Sequence, residues 1–370
     1  MSSVKETVLE INLVHLTHNY HYLRSKLQPE VKLLAVVKAA GYGSDAVTMA
    51  KHLEKIGVDY FAVAYVFEGI ALREAGIKTP ILVLHPQPVN FSSLIDYQLE
   101  PSLYSPRILR EFIKVAEAKK QKKYPVHIKF NTGLNRIGFW KNDGDYIIDQ
   151  LQETSSIIVK SLFSHLAASE DHDEKDFTLK QINSFNKIAS EMINKLEYKP
   201  ILHQCNTSGI LNYPEAHFDM VRTGIGLYGY GNEAIYDDQL KPVASLKSII
   251  SQIHMLEPGE TLGYNRAFKA EDFTKTATIP IGHADGIGRQ YGNNKGFVTI
   301  HGKKASIIGN VCMDMIMVDI TNIECEEGDE VVLFDNTSSA AIIAEAAGTI
   351  SYELLTAISP RVKRVVIDNN

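Results

Sequence analysis

The sequence predicts an α/β fold: an N-terminal (β/α)8 TIM-type barrel followed by a mostly β C-terminal domain. Three observations carry this. Eight short apolar runs recur through the first two thirds of the chain, separated by stretches of helical periodicity. Runs that are apolar on both faces belong to parallel sheets covered by helices, and a parallel sheet closed on itself is a barrel. After about Gly231 the pattern changes to closely spaced β-type runs. An open doubly wound sheet is the competing topology, but nothing at the first strand resembles its glycine-rich nucleotide fingerprint.

The expected barrel strands are 31–37, 58–64, 81–85, 97–103, 126–131, 157–164, 201–205 and 218–222. Leu16, Tyr20, Leu23 and Leu27 recur at helical spacing before the first, and Val47, Ala50, Leu53 and Ile56 follow it, with Gly57 as a stop. Ser105-Pro106 reads as a helix start with proline at the first helical position. Leu179, Ile182, Phe185, Ile188 and Met192 form a further stripe. The polar segment GNEAIYDDQLKP reads as a linker. Beyond it, β runs are expected at 244–255, 276–281, 297–300, 305–308, 315–320, 330–334 and 362–367, with Gly302-Lys303-Lys304 as a hairpin loop and one helix at 340–347. The expected domains are residues 8–234 for the barrel and 235–370, joined by residues 1–7, for the β-rich part.

A chain of 370 residues with 45% hydrophobic and 22% charged residues is ordinary for a globular protein of two domains. A formal net charge of −6 gives no reason to expect nucleic acid or an anionic membrane as partner. The start MSSVKETVLEINL has no apolar segment of signal-peptide type, and no run approaches membrane-spanning length. Cys205, Cys312 and Cys325 are scattered and fit neither a disulfide framework nor a zinc site, so no metal is expected and the simplest home is cytoplasmic. The cluster of Asp171, His172 and Asp173 near His165 reads as a solvated loop, and Cys312 as a packing residue.

The most telling residue is Lys38, in AVVKAAGYGSD at the exit of the first strand. An amine there loses hydration, so its pKa falls and its nucleophilic neutral form becomes available. That suits a Schiff base with a carbonyl such as pyridoxal phosphate. Loops after the last two strands of a barrel commonly bind phosphate. Here those loops are Asn206-Thr207-Ser208-Gly209 and Arg222-Thr223-Gly224-Ile225-Gly226. Arg222 closes the eighth strand; facing a cofactor's pyridine nitrogen, it would keep that nitrogen unprotonated and limit the electron sink.

AVVKAAGYGSD, IKFNTGLNRIGF, HQCNTSG, VRTGIGLYG, GYNR, IPIGHADG, GNVCMDMIMVD and SYELLTAISPRV run through both expected domains. Together they resemble the alanine racemase family, of the fold-type III pyridoxal-phosphate class. The resemblance implies pyridoxal 5'-phosphate held covalently by Lys38, with its phosphate bound by Tyr42, Ser208, Gly224, Ile225 and Tyr352. It implies that Arg222 faces the pyridine nitrogen, that His165 and Asn206 lie near the ring, and that Arg136 and the backbone of Met313 hold the substrate carboxylate. Racemisation moves a proton from one face of the α-carbon to the other, so two bases are expected. The resemblance supplies Lys38 and Tyr264, the latter and Met313 reaching the site of the partner subunit in a homodimer with shared active sites. It also implies that D-alanine feeds peptidoglycan synthesis. Lys129, at the end of strand five, is either a barrel-lining lysine or carries a carbamate as in some family members.

Three departures from the family pattern stand out, one of them Glu170 and Asp171 in place of a more regular entrance sequence after His165. Ala40 and Ser44-Asp45 replace residues of the usual lysine motif, whereas Lys38, Tyr42 and Gly43 are kept. His283 stands where the family usually has an entrance tyrosine, which keeps open a broader amino-acid racemase acting on serine or basic amino acids. A fold-type III decarboxylase would pair the pyridine nitrogen with an acid, and Arg222 argues against it. A non-catalytic pyridoxal-phosphate carrier would need no second domain.

Overall fold

A computed structural model describes residues 4–368. Nine strands cover the first part of the chain: β1 (Val8–Asn12), β2 (Lys32–Val36), β3 (Tyr60–Val63), β4 (Ile81–Val83), β5 (Glu100–Leu103), β6 (Tyr124–Lys129), β7 (Ile157–Phe163), β8 (Ile201–His203) and β9 (Met220–Thr223). Strands β2 to β9 form one parallel sheet in the order β8-β7-β6-β5-β4-β3-β2-β9. Backbone bonds from Asp219 to Leu202 and from Arg222 to Cys205, both 3.1 Å, bring β9 back to β8 and nearly close the barrel. All eight expected strands are present. The largest shift is at the fourth: Tyr97 ends the helix Phe91–Asp96 and Gln98 has φ +52, so the strand begins only at Glu100.

The helices follow the apolar spacing. Ser105 caps the helix Pro106–Ala118 by accepting from Ile108 N, and Ile108, Leu109, Phe112, Ile113 and Ala116 are buried against the sheet. Asp45, one of the departures from the family motif, caps Ala46–Lys55 through a 2.6 Å bond from Thr48 N. Gly57, with φ +93, stands just past that helix in the left-handed conformation that favours glycine.

The later strands are β10 (Ala244–Ile249), β11 (Gln252–Leu256), β12 (Thr261–Leu262), β13 (Phe268–Lys269), β14 (Thr274–Ile279), β15 (Phe297–Ile300), β16 (Lys303–Ile308), β17 (Ile316–Asp319), β18 (Glu330–Phe334) and β19 (Lys363–Ile367). With β1 they make a nine-stranded sheet, β11-β14-β17-β16-β15-β18-β10-β1-β19, while β12 and β13 form a separate ribbon.

Four expectations need correction here. Residue 8 does not open the barrel: β1 lies between β10 and β19 of the second sheet, antiparallel to the first and parallel to the second. The run 244–255 is two strands, because Ile250 bonds to Asp329 and Ser251 to Thr278, which turns the chain from β18 to β14. The hairpin turn is His301-Gly302, both at positive φ as a tight type I′ turn requires, so Lys303 and Lys304 already belong to β16. The helix at 340–347 is followed by a second, Ser351–Ala357, after Gly348 at φ +75. This second helix packs onto the lysine turn. A Cβ on Gly43 would lie 1.9 Å from Leu355 O, and Arg364 donates to Gly43 O and Ser44 O.

Candidate active site

Lys38 leaves β2 into an unusual turn. Ala39, Ala40, Gly41, Tyr42 and Gly43 all have φ between +52 and +79, one turn of left-handed helix. Such a conformation costs roughly 1–2 kcal/mol for each residue with a side chain. Glu68 offsets part of that cost. Its Oε1 accepts from Ala39 N at 2.7 Å, and its Oε2 accepts from Ala64 N and Tyr65 N at 2.7 and 3.0 Å. One carboxylate thus ties the lysine turn to the end of β3 and the start of the helix Val66–Glu74 that follows it. The turn delivers Tyr42 onto Tyr228, stacked at 4.5 Å, with its hydroxyl against Gly224, where a Cβ would come within 2.2 Å.

A cavity of about 860 Å³ opens at the C-terminal ends of the barrel strands. Lys38, Tyr42, Lys129, Arg136, His165, Asn206, Arg222, Gly224, Ile225 and Tyr352 line it together. Ser208 is buried beside it, its hydroxyl accepting from Asn232 Nδ2 at 3.1 Å; Asn232 is on the cavity wall and also donates to the Tyr352 hydroxyl. Asn206 Oδ1 accepts from Gly209 N and from the Ser169 hydroxyl, which fixes the loop after β8.

The electrostatics are one-sided. Four lining residues are basic (Lys38, Lys129, Arg136, Arg222), against Glu353 as the lining carboxylate. Burial, and then the charge of Arg136, lower the Lys38 amine below the usual lysine value, with Glu68 opposing. Lys129, buried over the face of Phe163, is lowered to about 7 by burial and by Arg136, Arg222 and Lys38. Arg222 donates to His203 Nδ1, Ser164 O, Gln204 O and His165 Nδ1 at 2.7 to 3.0 Å. His165 is held neutral, first by burial and then by Arg222. Arg136 has no hydrogen bond or ion pair among the described residues, so its guanidinium is available to an anion.

Tyr264 and Met313 are not part of this cavity. They line a second depression of about 760 Å³ on the β domain, and are 72% and 58% exposed. His283 sits on the rim of the same region: its N–H donates to Cys312 O, and Ala284 N to Met313 O. Gly282 lets these loops approach, since a Cβ would lie 2.4 Å from both Cys312 O and Met313 O. Cys312 lines the depression with its thiol pushed up by burial. Among the described residues no group of His, Cys, Asp or Glu is placed to hold a metal ion, and no helix is long and apolar enough to cross a membrane. His172 instead meets Glu233 at 2.8 Å.

The sequence reading missed Glu68, Asn232 and His203. Glu68 had a signal, an acid in the first turn of a helix that follows a strand end directly. His203 was a lone histidine in a short apolar strand, which more often marks packing.

Barrel, strand-end lysine, buried arginine and appended β domain together define an amino-acid racemase of the barrel type. The family profiles "Alanine racemase, N-terminal domain" and "Alanine racemase, C-terminal domain" match residues 11–232 and 243–366. The chain is 37% identical over 366 residues to the alanine racemase of Thermodesulfovibrio yellowstonii, covering 97% of both chains. It is 35% identical to alanine racemase 1 of Caldanaerobacter subterraneus subsp. tengcongensis, covering 98% of this chain and 95% of that one. Among solved structures, Clostridium difficile alanine racemase superposes with a TM-score of 0.92 at 36% identity, over 100% of this chain and 97% of that one. The Bartonella henselae alanine racemase with covalently bound pyridoxal phosphate superposes with a TM-score of 0.89 at 28% identity, over 98% and 99%. The chain belongs to the alanine racemase family.

Proposed function

We propose that this chain interconverts L- and D-alanine with pyridoxal 5'-phosphate held in the barrel mouth, as a homodimer with shared active sites. The observation that carries the reading is Lys38, its amine desolvated, in the same cavity as Arg222, whose close partners are all neutral. The donor set fits the cofactor. Tyr42, Ser208, Tyr352 and the backbone at Gly224 and Ile225 offer hydrogen bonds from neutral groups to a phosphate, and the excess of lining cations calls for anions. When bound, pyridoxal phosphate supplies an electron sink that makes the α-proton of an amino acid removable.

The chain's own residues then divide the work. Lys38 holds the cofactor and, once released by substrate, moves a proton at its Nζ on one face. The Tyr264 hydroxyl of the partner subunit serves the other face. Arg136 and the backbone of Met313 of the partner subunit hold the substrate carboxylate. His165 and Asn206 flank the ring. Lys129, its pKa lowered to about 7 by burial and by Arg136, is either an unmodified lining lysine or the site of a carbamate, formed when its neutral amine adds CO2 and loses a proton, which would give that guanidinium an anionic partner. The exposure of Tyr264 and Met313 on a surface away from their own chain's cavity supports the dimer. D-alanine made this way serves peptidoglycan synthesis in the cytoplasm.

Arg222 sets the strength of the sink. Arg222→Glu would put a carboxylate where the ring nitrogen lies, favouring its protonation. Racemisation of L-alanine is expected to slow on the order of 10²-fold, with pyruvate from transamination becoming detectable. Parent-like racemisation without pyruvate in a folded variant would sink the argument.

Broader specificity is kept open by His283 and by the loop after His165 that carries Glu170 and Asp171. The His283 N–H donates to Cys312 O and the next residue's N–H to Met313 O, which ties His283 to the loop that carries Met313. His283→Tyr is expected to change the ratio of kcat/KM for alanine to that for serine or lysine by on the order of tenfold or more, since a lost or gained apolar contact is worth about 1–3 kcal/mol. An unchanged ratio would remove His283 from the selectivity account.

A further inference from the structure

Arg222 is 4% exposed, and each acceptor within its reach is neutral. Burial, aided by Arg136 and opposed by Cys205, pushes its pKa down to about 10. A buried guanidinium without a contacting carboxylate is costly unless something supplies the charge and fixes the geometry. The barrel interior holds such an arrangement. From His203 a run of hydrogen bonds crosses it, one side chain per successive strand from β8 back to β5. His203 Nε2 meets Ser161 Oγ at 2.9 Å, Ser161 Oγ meets His127 Nδ1 at 2.6 Å, and His127 Nε2 meets Glu100 Oε2 at 2.7 Å. The Tyr60 hydroxyl donates to the same Glu100 oxygen at 3.1 Å. His127, Ser161 and His203 are fully buried.

The direction of the run follows from its two ends. A guanidinium only donates, so His203 Nδ1 accepts and its proton is on Nε2. That N–H donates to Ser161, whose single hydrogen then goes to His127 Nδ1. His127 therefore carries its proton on Nε2 and gives it to a carboxylate, which only accepts. Every bond points the same way, from the cation near the top of the barrel to an anion at the start of β5, and bonds in such a chain polarise one another. Phe163, stacked on His203 at 4.8 Å, holds that ring in plane.

We propose that Glu100 is a positioning residue for the racemase site: acting through His127, Ser161 and His203, it orients Arg222 and supplies its remote counter-charge. The inference rests on the reading that Arg222 faces the cofactor ring, but the chain itself is testable without that reading. In the purified enzyme labelled with [15N]histidine, NMR should show His127 and His203 both as the Nε2–H tautomer. An Nδ1–H tautomer or a doubly protonated ring at either residue overturns the directed chain.

The functional arm compares Glu100→Gln, Ser161→Ala and the double variant, as holoenzymes with L-alanine. Each single change is expected to lower kcat about tenfold with KM little changed, the scale of one hydrogen bond to a charged group. The double variant should be no slower than Ser161→Ala, because Glu100 acts through that serine. Glu100→Asp, which keeps the charge and guards against loss of folding, should recover part of the rate. Losses that multiply in the double variant, or unchanged kcat in both singles, overturn the positioning role. Neither outcome touches the racemase reading, which fails instead if the parent enzyme makes no D-alanine.

Discussion

Lys38→Ala is expected to abolish racemisation, with turnover falling on the order of 10⁴-fold or more, because one residue loses two tasks. It holds the cofactor and serves one face of the substrate. The left-handed turn around it is built by the backbone and by Glu68, so the variant should fold and keep Tyr42 in place. Borohydride reduction of the parent with pyridoxal phosphate should label the peptide containing Lys38 and leave the variant unlabelled. A label on Lys129, the other lysine of the cavity, would move the assignment there.

Tyr264→Phe removes one hydroxyl from an exposed side chain, so folding and cofactor binding should persist. Losing a positioned acid/base is expected to cost on the order of 10²–10⁴ in rate. The loss should be unequal by face: α-proton exchange with solvent should survive for the enantiomer served by Lys38 and fail for the other. The dimer has its own test. Subunits of Lys38→Ala and Tyr264→Phe proteins are mixed and allowed to exchange. With shared sites, each mixed dimer has one doubly defective and one intact site, and activity returns to part of the parent value. No recovery despite demonstrated exchange would mean that both residues serve one chain's site.

The barrel was legible because its strands are buried on both faces and read as continuous apolar runs between helical stripes. Long-range pairing was less so. The strand VLEIN alternates well enough, yet its partners lie far along the chain, Ala244 opposite Ile11 and Lys363 opposite Val8, and nothing local says which sheet it joins. The helix Ser351–Ala357 spans seven residues, too few to establish a period. At the site, residues that sit at strand exits were readable from position. Glu100, His127, Ser161 and His203 were not, since each is a single polar residue on its own strand and becomes part of a chain only when the barrel closes. Tyr264 stood in a motif, but which chain it serves is a property of the assembly.

The central claim is a chemical outcome, and the most direct measurement is the configuration of the product. The purified chain is incubated with pyridoxal phosphate and L-alanine, and the enantiomers are resolved over time; D-alanine is then used as the starting material. The account predicts approach to equal amounts of both enantiomers from either side, with the amino acid conserved. An enzyme that loads the cofactor yet leaves L-alanine unchanged, or converts it to a decarboxylated amine, would contradict it.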